Sequence, residues 1–178
     1  MAKKKINAVL SVRSIDNMIK QVEKYQADIN RKCEILCRRL AEVGRQAALV
    51  AINDSPLGKT ITLSVRVDPH VVGCKAVFMA IGQTKESENY GSINTLLLVE
   101  FGAGIRYNAI PNPKSGELGM GVGTFPGQTH AFDPDGWYFF GEDNKWHHSY
   151  GVEATMPMYK ATVAIRQQIL TIAREVFA

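Results

Sequence analysis

The feature that most constrains the fold is a long run of helical periodicity near the start of the chain. Between Ser14 and Asn53 the apolar residues follow one another at steps of three and four, the spacing of one helical face. They are Ile19, Val22, Ile29, Cys33, Leu36, Leu40, Val43, Ala47 and Val50. Ser14 is placed to cap this helix, and Asp16 lies in the first turn, where the helix dipole favours an acid. A helix of this length spans about 60 Å, so we expect one half to pack on a sheet and the other half on a neighbouring subunit.

The composition is that of one globular domain covering residues 1–178. The chain is 46% hydrophobic and 21% charged, fractions that are typical of a globular protein and exclude large-scale disorder. No apolar run is long enough to cross a membrane as a helix. Residues 1–13 begin like a signal peptide but lack a cleavage site, and we interpret them as a flexible basic tip.

The net charge of +4 is unevenly distributed along the chain. Residues 1–45 contain eleven Lys and Arg against five Asp and Glu, whereas the remainder contains ten against twelve. A basic first helix could contact phosphate, which makes a DNA-binding protein one hypothesis. The basic residues could instead keep one face of the helix in contact with water and face an acidic neighbouring surface.

The three cysteines do not form a disulfide framework, because their number is odd. Cys33 and Cys37 share one face of the predicted helix and are expected to behave as small buried hydrophobic residues. The alternative is a metal-binding pair, but no second pair of ligands lies at a suitable spacing. Reduced thiols suit synthesis in a cytoplasm.

Apolar runs after the helix predict β-strands. Turn residues at 53–58 end the helix, residues 61–67 alternate as a half-buried strand does, and residues 71–81 predict a more buried strand. Residues 95–101 predict a third strand, and the polar residues 83–92 are expected to form a mobile connection.

Two aromatic-rich segments follow later in the chain. Residues 137–140 and 145–148 flank turn residues and predict a β-hairpin that contains Trp137, Tyr138 and Trp146. Aromatic residues of this density mark an interface or a stacking platform if they are exposed. Their complete burial between a sheet and a helix is the alternative.

The last segment predicts a C-terminal helix. Thr155 is a possible cap and Pro157 stands at the first helical position, which proline favours. The sequence therefore predicts an α+β fold in which a long N-terminal helix and a C-terminal helix pack on a mainly antiparallel β-sheet.

Residues 102–135 form a long insertion rich in glycine and proline. They contain seven Gly and four Pro in 34 residues without a sustained helical or strand period. The segment also carries apolar side chains at Tyr107, Ile110, Met120, Phe125 and Phe132. We therefore expect a loop that becomes ordered on a partner rather than a simple linker.

None of the familiar catalytic or ligand-binding patterns is complete. Gly58-Lys59-Thr60 lacks the upstream glycine of a phosphate-binding loop. His147 and His148 are adjacent on a strand and so point to opposite faces, although His130 could join one of them at a metal. The spacing of the acids Glu100, Glu142 and Asp143 is not fixed by any motif. We expect no enzymatic activity, no cofactor and no metal.

The segment Val99-Glu100-Phe101-Gly102-Ala103-Gly104 places an acid at the end of an apolar run and just before two glycines. Glu100 either accepts hydrogen bonds from backbone N–H groups or pairs with a basic group such as Arg106 or an arginine of the first helix. The alternative is an acid that faces solvent.

This Val-Glu-Phe-Gly-x-Gly motif resembles one found in the minor tail proteins of long-tailed bacteriophages, the tail-completion or head–tail joining subunits of the neck. The turn at residues 55–60 and the helix start Met156-Pro157-Met158 are similar to further motifs of that family, in the same order. The glycine-rich residues 119–129 resemble an insertion found in phages and prophages of low-GC Gram-positive hosts.

The resemblance implies a structural virion protein without catalytic activity. Members of the family close the tail tube or join it to the head, usually as a ring of about six subunits. The implied partners are other copies of the chain and the tail-tube or head-connector proteins, while DNA passes through without specific binding. The implied location is the virion, after assembly in the host cytoplasm. On this basis the motif and interface candidates are Glu100, Phe101, Gly102, Gly104, Trp137, Tyr138, Trp146, Met156, Pro157 and Met158.

Overall fold

The computed structural model describes residues 11–87, 91–104, 110–120, 133–141 and 143–178. Its first and largest element is the helix α1, Val12–Asn53. The predicted cap at Ser14 is wrong by one turn, since the Ser11 side chain accepts a hydrogen bond from the Ser14 N–H. The predicted flexible tip of residues 1–13 is therefore too long by two residues, and residues 1–10 lie outside the described part.

The second long helix, α3, Pro157–Phe177, packs against the C-terminal half of α1. Arg39 forms an ion pair with Glu175 near the end of α3, whereas Gly44 faces Ile165 in the first half of that helix. The two helices therefore run antiparallel. A methyl group at Gly44 would lie 2.7 Å from the end of the Ile165 side chain, so this glycine allows a close approach.

A β-hairpin lies along a neighbouring face of α1. It consists of β1, Ile61–Pro69, and β2, Cys74–Gly82, in antiparallel register. Its turn contacts the middle of α1, because the Asn30 side-chain amide donates to the carbonyl of Val71 at 2.8 Å. The second strand therefore begins later than predicted, and Val71 stands in the turn.

The cysteines of α1 face this hairpin and are half-buried. The Cys37 thiol donates to the carbonyl of Cys74 at 3.4 Å. Burial, followed by the neighbouring Cys74 thiol, raises the pKa of Cys37 to about 11. Cys37 therefore behaves as a small packing residue, as predicted.

The segment between the first hairpin and the insertion differs most from prediction. Residues expected to be a mobile connection form a second hairpin, with β3, Thr84–Ser87, paired to β4, Gly91–Asn94. The predicted third strand is a short helix, α2, Thr95–Phe101. The Asn94 side chain accepts from the Leu96 N–H at 2.9 Å and so caps α2. A short apolar run cannot be assigned to strand or helix by periodicity alone.

The predicted aromatic hairpin is confirmed, with β5, Trp137–Phe140, antiparallel to β6, Trp146–Ser149. The α+β class is also confirmed, with long helices near both ends and antiparallel strands. In the described residues the strands form three separate two-stranded sheets. The core lies where the C-terminal half of α1, α2 and α3 meet, and it is built largely of small residues. Its buried apolar members include Ala41, Ala48, Ala51, Ile52, Val99, Phe101, Ala161 and Ile172.

Candidate functional site

Glu100 joins two of the motifs that suggested the family. The residue lies in the last turn of α2 with only 7% of its surface exposed. Its Oε2 accepts from the Met158 N–H at 2.8 Å and its Oε1 from the Tyr159 N–H at 2.9 Å. Of the alternatives for Glu100, the structure therefore shows acceptance of backbone hydrogen bonds, and the solvent-facing alternative is wrong. Arg106 lies outside the described residues.

These bonds replace the ordinary cap of α3. Its N-cap residue, Met156, has a left-handed backbone with φ of 56°, and its side chain makes no capping bond. The first N–H groups of a helix otherwise lack partners, and the helix dipole favours a negative group there. The Glu100 carboxylate from α2 supplies both the hydrogen-bond acceptors and the negative charge at the start of α3. The predicted cap at Thr155 is therefore wrong.

Asn112, in the insertion, completes the arrangement. Its side-chain amide donates to Glu100 Oε1 at 2.8 Å, and only 2% of the residue is exposed. Its own carbonyl oxygen accepts from the Lys114 N–H at 2.9 Å. We call Glu100, Asn112, Met158 and Tyr159 the cap junction. Residues 110–120 are thus linked to the rest of the chain through Asn112, and the expectation that a partner orders the insertion stays a prediction.

The pKa of Glu100 reflects two opposing effects. Burial raises it above its ordinary value of 4.5, and this is the larger effect. The N–H groups of Met158 and Tyr159, the Asn112 amide and the charge of Lys160 lower it. The donors to this carboxylate lie in the insertion and at the start of α3, so the junction serves to hold α2, α3 and the insertion together.

Backbone contacts extend the junction toward the aromatic hairpin. The N–H groups of Thr155 and Met156 both donate to the carbonyl of Val99, and Ala103 exchanges two hydrogen bonds with Val152. Gly104 has φ of 79°, and a methyl group there would lie 2.6 Å from the carbonyl oxygen of Tyr150. This motif glycine is therefore required by the close approach of two backbone segments.

The remaining predicted residues divide between this junction and the hairpin. Phe101, Met156 and Pro157 are buried and Met158 is half-buried. Gly102 ends α2 with φ of 78°. Trp137 is half-buried, with its ring 3.5 Å from where a Gly104 side chain would begin.

The outer side of the hairpin carries a row of exposed rings. Tyr138 and Trp146 are 68% and 70% exposed, so the alternative of complete burial is wrong for them. Tyr138 stacks on His148 with ring centroids 4.5 Å apart, and Phe140 meets Trp146 edge-on at 5.5 Å. We call this row the aromatic face; its members are Tyr138, Phe140, Trp146, His148 and Tyr150.

Acidic residues lie close to the aromatic face in sequence. The Asp143 carboxylate accepts a hydrogen bond from His147 Nε2 at 2.8 Å, and this bond lowers the pKa of Asp143. Asp133, Asp135 and Glu153 are also exposed nearby in sequence, against the single Lys145.

A second exposed apolar surface lies on the first turns of α1. Its members repeat at steps of three and four and are all exposed: Val12, Ile15, Ile19 and Val22. We call them the apolar stripe. Ile19 and Cys37 are 18 residues apart, which is five helical turns. The stripe is therefore the continuation of the face that packs on the β1–β2 hairpin, beyond the point where the turn of that hairpin ends.

The other candidates give no reactive centre in the described part of the chain. Gly58-Lys59-Thr60 forms a tight turn after α1, and a methyl group at Gly58 would lie 2.2 Å from the carbonyl oxygen of Ile52, so this glycine allows the chain to turn back closely on the helix end. Among the described residues no cluster of His, Cys, Asp and Glu is suited to a metal ion; His130 lies outside them. The described helices include none that is long and apolar enough to span a bilayer.

Comparison of the chain with models of protein families, with curated proteins and with solved structures finds no match. The family resemblance therefore rests on the motifs themselves. Asn112 is the residue that sequence reasoning missed; its position between two prolines signals a turn but does not reveal a buried partner.

Proposed function

We propose that this chain is a structural subunit of a tailed-phage neck, a tail-completion or head–tail joining protein that acts by forming a closed homo-oligomeric ring. The observation that carries the proposal is the apolar stripe, which lies on α1 beyond the surface that the described residues cover. Exposed contiguous apolar surface of this kind marks a protein–protein interface.

The cap junction supports the same proposal. The two motifs on which the resemblance depends, at residues 99–104 and 156–161, are distant in sequence, and Glu100 holds them together. This gives a physical reason for the motifs to occur together: each supplies half of one helix cap. The motifs are therefore part of the scaffold that holds the interfaces in place, and the proposed function involves no catalysis or cofactor.

The DNA-binding alternative has less support. Arg31, Arg38 and Arg45 form ion pairs with acids on α1 itself, and Arg39 pairs with Glu175. Four of the eleven Lys and Arg in residues 1–45 are therefore paired with acids, which leaves less positive charge to attract phosphate. In the proposed ring DNA passes through without specific binding, and the protein resides in the virion after assembly in the host cytoplasm.

Substitution of the stripe tests the proposal. Ile15→Asp with Ile19→Asp places two charges on the stripe, both at exposed positions, so we expect a folded chain that sediments as a monomer. Asn17→Asp with Gln21→Asp adds the same charge to the opposite side of α1 and should leave assembly unchanged. Equal assembly of the two variants would count against the proposal.

A further inference from the structure

We propose that the aromatic face of one copy packs on the apolar stripe of the next copy. This inference rests on the proposed function and names the two surfaces that meet in the ring. Both surfaces are exposed in the single chain, and both are built from side chains that favour removal from water.

The shape of the two surfaces supports this pairing. Farther along α1 the same helical face is already covered by a two-stranded hairpin, β1–β2, with Asn30 and Cys37 contacting it. A second hairpin placed on the stripe would repeat that packing. The stripe from Val12 to Val22 is about 15 Å long, and a four-residue strand such as β5 or β6 is about 13 Å long.

The charges around the two surfaces are opposite. By sequence, residues 1–32 contain eight Lys and Arg against three Asp and Glu, whereas residues 133–153 contain five Asp and Glu against one lysine. Attraction between them favours an encounter of stripe with aromatic face and disfavours stripe with stripe. The same acids repel phosphate, which argues against nucleic acid as the occupant of the aromatic face.

The geometry of such a contact suits a ring. A surface on one copy that binds a different surface on the next is heterologous, and repetition of it generates a closed ring when the rotation closes. Each copy then uses its stripe once and its aromatic face once, so no copy in the ring leaves either surface exposed.

Mixing two defective variants tests the pairing directly. The stripe variant, Ile15→Asp with Ile19→Asp, keeps its aromatic face. The hairpin variant, Trp146→Lys, keeps its stripe and places a positive charge where the basic helix would dock. We expect each variant to be monomeric alone at concentrations where the wild type assembles. For Trp146→Lys, the protein concentration at half-maximal assembly should rise at least about tenfold, as for a central aromatic interface residue.

Mixed in equal amounts, the two variants should form a 1:1 dimer of twice the 19.7 kDa subunit mass and grow no further. His147→Lys adds the same charge to the opposite side of β6 and should assemble as the wild type does. Two-dimensional NMR spectra that retain the amide signal of Gly141, whose N–H donates to the Lys145 carbonyl across the hairpin, would verify that the hairpin of each variant remains folded.

The outcomes separate this inference from the proposed function. If Trp146→Lys forms normal rings, or if the mixture gives no dimer, the pairing is wrong while the ring survives. If the wild type forms open filaments that both variants abolish, the pairing stands and the closed ring is wrong. A wild type that remains monomeric throughout a concentration series overturns both.

Discussion

The Glu100 carboxylate, on the last turn of α2, accepts a hydrogen bond from the backbone N–H of Met158 at the start of α3, 2.8 Å away. Together with the bond from Tyr159 it caps a helix whose own N-cap residue does not. Because the helix end lies in the core and its cap comes from another element, the two helices should unfold as one unit.

Replacement of Glu100 by Gln tests this cap. One backbone N–H would then face an amide NH₂ instead of an acceptor, and a buried donor without a partner costs about 1–3 kcal/mol. We expect Glu100→Gln to lower the free energy of unfolding by that amount in urea titrations at neutral pH. Glu153→Gln, an exposed position, is the matched control and should change it little; equal stability of both variants would contradict the cap.

The pH dependence of that difference has a definite sign. Burial raises the pKa of Glu100 in the folded state above its ordinary value of 4.5, so the folded state binds the proton more tightly than the unfolded state does. Stability from this group is therefore complete below pH 4.5 and declines as the pH rises through the raised pKa. The stability difference between wild type and Glu100→Gln should shrink over that interval. A difference that grows with pH would show that the hydrogen bonds outweigh burial.

The contributions of Asn112 and Glu100 to the free energy of unfolding should be coupled. Asn112→Ala removes a buried amide that donates to Glu100 Oε1, and we expect a loss of about 1–3 kcal/mol of unfolding free energy. Because both residues belong to one network, combining Asn112→Ala with Glu100→Gln should cost less than the sum of the single losses. The exposed Asn17→Ala serves as control, and strict additivity of the two junction substitutions would argue against a shared network.

The motif glycine Gly104 should tolerate no side chain. Gly104→Ala combines a left-handed backbone with a methyl group 2.6 Å from the Tyr150 carbonyl oxygen, and strain of this kind costs about 1–3 kcal/mol. Gly116→Ala, in the same insertion, meets nothing within 4 Å and provides the matched comparison. Thermal unfolding of the two variants measures the difference, and indistinguishable midpoints would refute the role assigned to Gly104.

The affinity for DNA distinguishes a neck subunit from a DNA-binding protein that uses α1. For a neck subunit we expect weak affinity for a labelled duplex, lost at moderate salt. A DNA-binding protein that uses α1 would bind tightly at low salt, with an affinity that falls steeply on a logarithmic salt scale as counterions are released. Fluorescence anisotropy across a salt series provides the measurement.

The sequence predicts the long elements of this fold well because their periodic patterns are long. Helices α1 and α3 and the aromatic hairpin are where apolar spacing and turn residues indicate them. Helix α2 was mistaken for a strand because seven apolar-rich residues carry too little periodicity, and its capping residue, Asn94, serves equally well in a turn.

The cap junction was only partly accessible to sequence reasoning. Glu100 stands out as an acid in an apolar run, and acceptance of backbone N–H groups was one of the alternatives for it. Its donors Met158 and Tyr159, and its partner Asn112, are set by tertiary packing, which local patterns do not encode. Because Asn112 is buried, a deletion that probes the insertion should begin after Met120, so that the junction remains intact.

The mass of the wild-type chain under native conditions tests the central claim most directly. Native mass spectrometry with negative-stain imaging of the main species should give a closed ring whose mass is an integer multiple of 19.7 kDa, about six in the ring that the family resemblance implies. A single species at 19.7 kDa across the whole concentration series would contradict the claim that this chain assembles a ring.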